Sequence, residues 1–178
     1  MRKLCVPGII FFAAVMTAGA QGIRPAVWAG QFYDRDPVNL SAQIDSFLRI
    51  APAPVSDKPV KGIIVPHAGY AYSGQVAACG YRLVQGQPID SVVIIGPSHR
   101  FGFRGCSIYT KGGFETPLGI VAVDEILAAE IAKASGFGFV PEAHVQEHSI
   151  EVQVPFIQKT LPRAKIVPII MGSQDERT

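Results

Sequence analysis

Apolar residues recur along this chain in two kinds of run. At 62–65 (GIIV), 91–95 (SVVII) and 165–171 (KIVPIIM) the run is continuous and mostly β-branched, the pattern of strands buried on both faces. Elsewhere the spacing lengthens to a helical repeat. Leu40, Ile44, Phe47 and Leu48 stand at i, i+4, i+7 and i+8, behind Asp36 as N-cap and Pro37 at the first helical position. Val76, Leu83 and Val84 predict a second helix over 73–84, weakened by Gly80. Asp124 caps a third running to about Ser135, with Ile126, Leu127 and Ile131 inward. Shorter strand-like pieces lie at 106–110 (CSIYT), 118–123 (LGIVAV) and 137–140 (FGFV), with Gly112-Gly113 as a turn. A last helix is expected from near His148 to Thr160, bent or broken at Pro155. The opening segment RPAVWAGQFYD (24–34) reads as irregular or edge strand, and APAPVSDKP (51–59) as a proline-rich connection. All-apolar strands alternating with helices predict an α/β fold: a three-layer sandwich around a parallel or mixed central sheet.

The two ends depart from this pattern. Residues 1–20 place Arg2 and Lys3 before an apolar stretch and close on Ala18-Gly19-Ala20, the arrangement of an export signal cleaved after Ala20. The stretch is interrupted by Pro7 and Gly8 and is shorter than the roughly 20 residues a spanning helix needs, so no stable membrane span is expected. At the other end Ser173-x-x-Glu176 is a capping-box signal, so a helix begins where the sequence stops. Residues 21–178 are therefore read as one domain, incomplete at its C-terminus.

Charge and cysteine content narrow the function classes. Taking Arg2 and Lys3 from 16 basic residues leaves 14 against 14 acidic ones, and no basic stripe remains to grip nucleic acid. Cys5 leaves with the signal; Cys79 and Cys106 remain, as one disulfide or as two free thiols. The sequence holds no G-x-S-x-G elbow and no Walker or dinucleotide glycine pattern.

The histidines carry the candidate chemistry. His67 and His99 each follow an apolar strand, with Pro66 and Pro97 stiffening the turns and Gly69 and Gly96 allowing tight paths. Ligands collect outside the carboxyl ends of strands in an open α/β sheet, so parallel strands would bring both imidazoles to one rim. A third cluster, EAHVQEHSIEVQ (142–153), holds His144, Glu147, His148 and Glu151. Neutral imidazole suits iron, copper or zinc, and nearby carboxylates orient it. A lone histidine after a strand is more often a hydrogen-bonded turn residue than a ligand; two at matched positions beside a carboxylate-rich histidine cluster weigh equally for a ligand role.

Four segments together are more specific. RPAVWAGQFY (24–33), VPHAGYAYSG (65–74), IIGPSHRFG (94–102) and EHSIEVQVPF (147–156) resemble the signature segments of the Memo-like family, whose bacterial members include AmmeMemoRadiSam system protein B. The resemblance implies a fold similar to class III extradiol dioxygenases and a mononuclear metal site. It implies His67 and His99 as ligands, with His148 lining the same pocket as third ligand or general base. The metal is expected to be iron or copper, with zinc as the alternative. Tyr70, Ser98, Glu147 and Glu151 are further pocket positions, packing being the plainer role for Tyr70 and a solvated helix face for Glu151. The family's Cys-His segment, which supplies a cysteine ligand, has no counterpart here. The resemblance also implies a radical SAM partner system, alongside a small-molecule or peptide ligand. Family members are best known inside cells, whereas a cleaved signal would send this chain to the periplasm or outside.

Three functional readings follow. The first is a metal-dependent redox or dioxygenase-like activity. The second is a non-catalytic metal-binding or adaptor protein on the same fold. The third is a zinc peptidase through HVQEH (144–148), which fits H-x-x-E-H if both histidines share one helical face; here His144 is otherwise a surface residue or one supporting the site from behind.

Overall fold

The computed structural model describes residues 22–53 and 59–173. The export signal and the Ser173-x-x-Glu176 pattern reach outside the described residues. In chain order the elements are β1 (Ile23–Arg24), α1 (Pro37–Ile50), α2 (Tyr70–Arg82), β2 (Ser91–Pro97), β3 (Cys106–Ile108), β4 (Gly113–Thr116), β5 (Gly119–Ala122), α3 (Glu125–Ile131), β6 (Phe137–Gly138), α4 (Pro141–Val145), a 3-10 turn (Glu151–Gln153), α5 (Val154–Thr160) and β7 (Lys165–Met171).

The central sheet is mixed, in the order β2-β7-β3-β6. β2 and β7 run parallel from Ser91 opposite Lys165 to Pro97 opposite Met171, while β3 lies antiparallel to β7 and parallel to β6. A smaller sheet, β1-β4-β5, joins its side through a bridge between Val123 and Ile166. β7 is the axis of the core: Ile166 through Ile170 are all buried, which requires cover on both faces. α1, α2 and α5 pack together as one layer, and α3 lies against β7.

Local chemistry explains the helix starts. The Asp36 side chain accepts from the backbone N–H groups of Val38 and Asn39, and Leu40, Ile44 and Leu48 form the buried face of α1. Asp124 caps α3 through Leu127 N–H, although α3 ends at Ile131 and Ile126 faces solvent. Pro155 does not break a long helix. A 3-10 turn precedes it, and the proline sits in the first turn of α5, where its missing N–H is not needed.

Two expectations are corrected. α2 begins at Tyr70 and buries Ser73, Gly74, Ala77, Ala78 and Tyr81, leaving Val76 exposed. Residues 62–65, expected as a buried strand, form no strand and pair with none among the described residues. Ile63 and Val65 pack beneath α2, while Ile64 is fully exposed. Gly80 makes that packing possible, because a Cβ there would lie 2.4 Å from Val65 Cγ1. Gly80→Ala is accordingly expected to destabilise the chain by about 1–3 kcal/mol despite alanine's better helix propensity, read from urea unfolding midpoints.

Cys79 and Cys106 are both free thiols. No helix among the described residues is long and apolar enough to cross a membrane.

Candidate metal centre

Three turns at one end of the central sheet deliver the histidines. His67 sits between the segment 60–65 and α2. Its turn is tied down by Gln153 Nε2, which donates to Pro66 O (3.1 Å), and by Tyr70 N–H, which donates to Phe32 O (2.7 Å). His99 follows β2, and Ser98 N–H extends the β7 ladder to Met171 O. His148 lies on the turn after α4. That turn is pressed against β2 so closely that a Cβ at Gly96 would lie 2.6 Å from Ser149 Oγ. The Ser149 hydroxyl donates to Pro97 O, locking the two turns together.

The three rings converge. Their centroids are 5.2 Å (His67–His99), 5.9 Å (His67–His148) and 4.4 Å (His99–His148) apart, and one nitrogen from each lies within 4.8 Å of the others. His67 and His148 are half-buried, whereas the His99 side chain is 37% exposed and leaves the site open to solvent.

Glu147 organises this trio from behind. It is buried, and its Oε2 accepts from His99 N–H (2.6 Å). Its Oε1 lies 2.8 Å from His99 Nδ1 and accepts from the backbone N–H groups of His148 and Ser149 (2.9 Å each). A carboxylate on Nδ1 fixes that nitrogen as the donor and leaves His99 Nε2 with a free lone pair. Burial alone would raise the Glu147 carboxyl. The hydrogen bonds from His99 and Ser149 outweigh it and hold the group below its ordinary value.

His67 and His148 favour the neutral, ligating form. Burial holds His67 below its ordinary value, reinforced by His99 and opposed by Glu147. Burial does the same for His148, opposed by Glu147 and reinforced by His99, His67 and Arg100. His148 Nδ1 is buried and 3.4 Å from Glu147 Oε1, but it makes no hydrogen bond. A buried, unpartnered imidazole nitrogen beside two other imidazoles fits a cation that accepts a lone pair. Bonds of about 2.1 Å would need the nitrogens roughly 3.4 Å apart, so small side-chain rotations complete the fit.

The structure separates the other expected positions. Ser98 is half-buried, and its hydroxyl donates to Phe101 O within its own turn. The Tyr70 hydroxyl donates to Val152 O (2.8 Å) inside the core, the packing role. Glu151 is not on a solvated face. It is fully buried and accepts from Arg24 (2.6 Å), the Tyr33 hydroxyl (2.6 Å) and Trp28 N–H (2.7 Å), anchoring the opening segment. His144 is not at the surface either. It is buried against Tyr109 and Phe139, with Nε2 2.8 Å from Ser107 Oγ. α4 stops at Val145, so HVQEH does not form one helical face, and Glu147 is committed to His99. The inverted-zincin arrangement is absent from the described residues.

Burial, aided by the charge of Arg24 and opposed by Glu147, pushes His144 down to about 3 from 6.5. Between those values the unfolded chain binds a proton that the folded chain refuses. The stabilisation is complete above pH 6.5 and is lost as pH falls toward 3. Stability is expected to decline from about pH 6.5, with a slope approaching about 1.4 kcal/mol per pH unit from this group. His144→Gln should flatten that slope in urea titrations between pH 6.5 and 5.

Residue patterns alone gave no hint of the aromatic wall. Phe32 packs against His148 at 4.6 Å, Trp28 meets the same ring edge-on at 5.9 Å, and the Arg100 guanidinium lies 5.1 Å over Trp28.

Comparison with known proteins gives the chain's family. The family model described as Memo-like protein matches residues 24–178. The chain belongs to the Memo family. Within that family it is 44% identical over 163 residues to a MEMO1 family protein of Methanothermobacter thermautotrophicus, covering 87% of this chain and 58% of the relative. A MEMO1 family protein of Sulfolobus acidocaldarius is 44% identical over 164 residues, covering 84% and 57%. One of Thermoplasma volcanium is 41% identical over 155 residues, covering 86% and 56%. The chain thus spans a little over half the length of these Memo-family relatives.

Proposed function

We propose that His67, His99 and His148 hold one divalent metal ion and that the domain supports a metal-dependent redox reaction of the dioxygenase-like kind. The observation that carries the reading is the convergence of three imidazoles, one held in place by a buried carboxylate, on an opening that reaches solvent. Three nitrogen donors on one side of an ion leave positions for substrate and oxygen, and such a set suits iron or copper, with zinc as the redox-inactive alternative. In this reading Glu147 orients His99, and the Phe32–Trp28 wall excludes water from one side of His148 and restricts its ring. A small-molecule or peptide ligand would enter past His99. A radical SAM partner system and export directed by residues 1–20 belong to the same proposal.

The second reading is a metal-binding or adaptor domain without turnover of its own. The same three converging imidazoles would hold an ion in this reading too.

Elemental analysis and calorimetric titration of the purified chain test the first step. About one Fe(II) or Cu(II) per chain is expected. His67→Ala and His148→Ala should each weaken binding by roughly 100-fold or more, since neither replacement offers a donor. Oxygen consumption with a panel of catechols then separates the two readings. Uptake supports the redox enzyme; stoichiometric metal without uptake supports the adaptor.

A further inference from the structure

One cation at the histidine rim has no counter-charge. Arg100 directly follows His99, in a turn closed by the Ser98 hydroxyl donating to Phe101 O (2.7 Å). It is exposed, and among the described residues it makes no ion pair and no hydrogen bond. Other cations of the surface are tied to acids: Lys133 to Glu130 (2.7 Å) and Lys159 to Asp45 (2.9 Å). Arg100 is held instead by an aromatic face, with its guanidinium carbon 5.1 Å from the Trp28 ring centroid.

Trp28 is a fixed shelf rather than a loose side chain. Its backbone N–H donates to the buried Glu151 carboxylate (2.7 Å), and its indole Nε1 donates to Gln146 O (3.2 Å). The same ring meets His148 at 5.9 Å and Phe32 at 4.8 Å. The guanidinium therefore stands one aromatic ring away from His148 and one residue from His99, the histidine that opens to solvent. An unpaired cation beside a divalent ion raises the energy of both. An anion lodged between them removes that penalty and is attracted by each.

We propose that Arg100 determines specificity at this site and that the ligand it selects carries a carboxylate on a planar, apolar body. The proposal rests on the metal site argued above. A guanidinium lying over an indole keeps its fork of N–H groups free for the two oxygens of a carboxylate. The half-buried Trp28 and Phe32 rings offer apolar surface to the body behind that carboxylate. Phosphate groups ask for more, being held by clusters of arginines or runs of backbone N–H groups. Here a single guanidinium stands over the wall, and the first N–H of α2 already donates to Phe32 O.

Trp28 is the only tryptophan in the chain, so its emission reports on this spot. Benzoate, benzamide and phenyl phosphate serve as probes. They are titrated into the metal-free chain and into chain loaded with one equivalent of Zn(II), which leaves the emission readable. Benzoate is expected to shift the emission in both forms and to bind about tenfold or more tightly than benzamide, and more tightly again with the ion in place. Arg100→Gln should remove the preference for benzoate over benzamide. Arg100→Lys, which keeps the charge but not the fork, should retain part of it. Three results would each overturn the proposal: equal binding of benzoate and benzamide; an unchanged preference in Arg100→Gln, as a merely structural arginine would give; or phenyl phosphate binding about tenfold more tightly than benzoate. Cu(II) quenching of Trp28, lost in His67→Ala, reads the metal separately. If quenching never appears, the metal site fails, while the titration of the metal-free chain still decides the role of Arg100.

Discussion

Replacing Arg24 by Met, or Glu151 by Gln, is expected to cost about 3–5 kcal/mol, the usual consequence of leaving one partner of a buried ion pair alone. Both side chains are buried, 127 residues apart in sequence, with Nη1 2.6 Å from Oε2. Glu151 also accepts from the Trp28 and Val27 backbone N–H groups and from the Tyr33 hydroxyl, so its charge is spread over four donors. Arg24 uses its other nitrogens on the histidine turn, with Nε donating to His144 O and Nη2 to Glu147 O, each at 2.7 Å. The pair therefore does more than close the opening segment: it fixes the backbone that carries Glu147 and His148. Loss of either charge should lower the urea midpoint steeply. Tyr33→Phe, which removes one neutral donor, should cost only about 1 kcal/mol. Equal losses for all three variants would mean that the charge itself contributes little.

Glu147→Gln is expected to weaken metal binding by about 10–100-fold, the usual effect of removing a carboxylate behind a ligating histidine. The carboxylate receives four donors, two of them from His99. An amide offers only one acceptor oxygen, so its NH2 group must face an N–H donor. Either His99 loses its fixed tautomer or the turn at His148 opens. Ser98→Ala is the matched control, since that hydroxyl serves only its own exposed turn, and its metal affinity should equal that of the parent chain. Titrations run on variants shown to be folded by circular dichroism separate affinity from stability. An unchanged affinity in Glu147→Gln would remove Glu147 from the account.

Much of this was legible in the sequence because the signals were local. Asp36-Pro37 and Asp124 announce their helices by cap chemistry, and the Lys165–Met171 run announces a strand covered on both sides. The resemblance of the VPHAGY, GPSH and EHS segments to the Memo-like family implied three converging rings, although the run before His67 is not a paired strand. What stayed hidden depends on contacts between distant residues. α2 buries a face of small residues, Ser73, Gly74, Ala77 and Ala78, which carries almost no signal in a hydrophobic pattern. Gly74 is small because Phe47 lies against it: a Cβ there would sit 2.5 Å from the ring. Nothing within EVQ marks Glu151 as buried, because its partners come from the opening segment. The all-apolar run at 62–65 misled for the opposite reason, since its composition describes a strand with neighbours on both sides and the described residues supply none.

The claim on which the rest depends is that the three imidazoles share one ion. X-ray absorption at the metal edge of the protein loaded with one equivalent of Fe(II) or Cu(II) measures this most directly. The account predicts three imidazole nitrogens at about 2.0–2.1 Å, falling to two in His67→Ala and in His148→Ala. A spectrum with one imidazole or none, unchanged by either substitution, would contradict it.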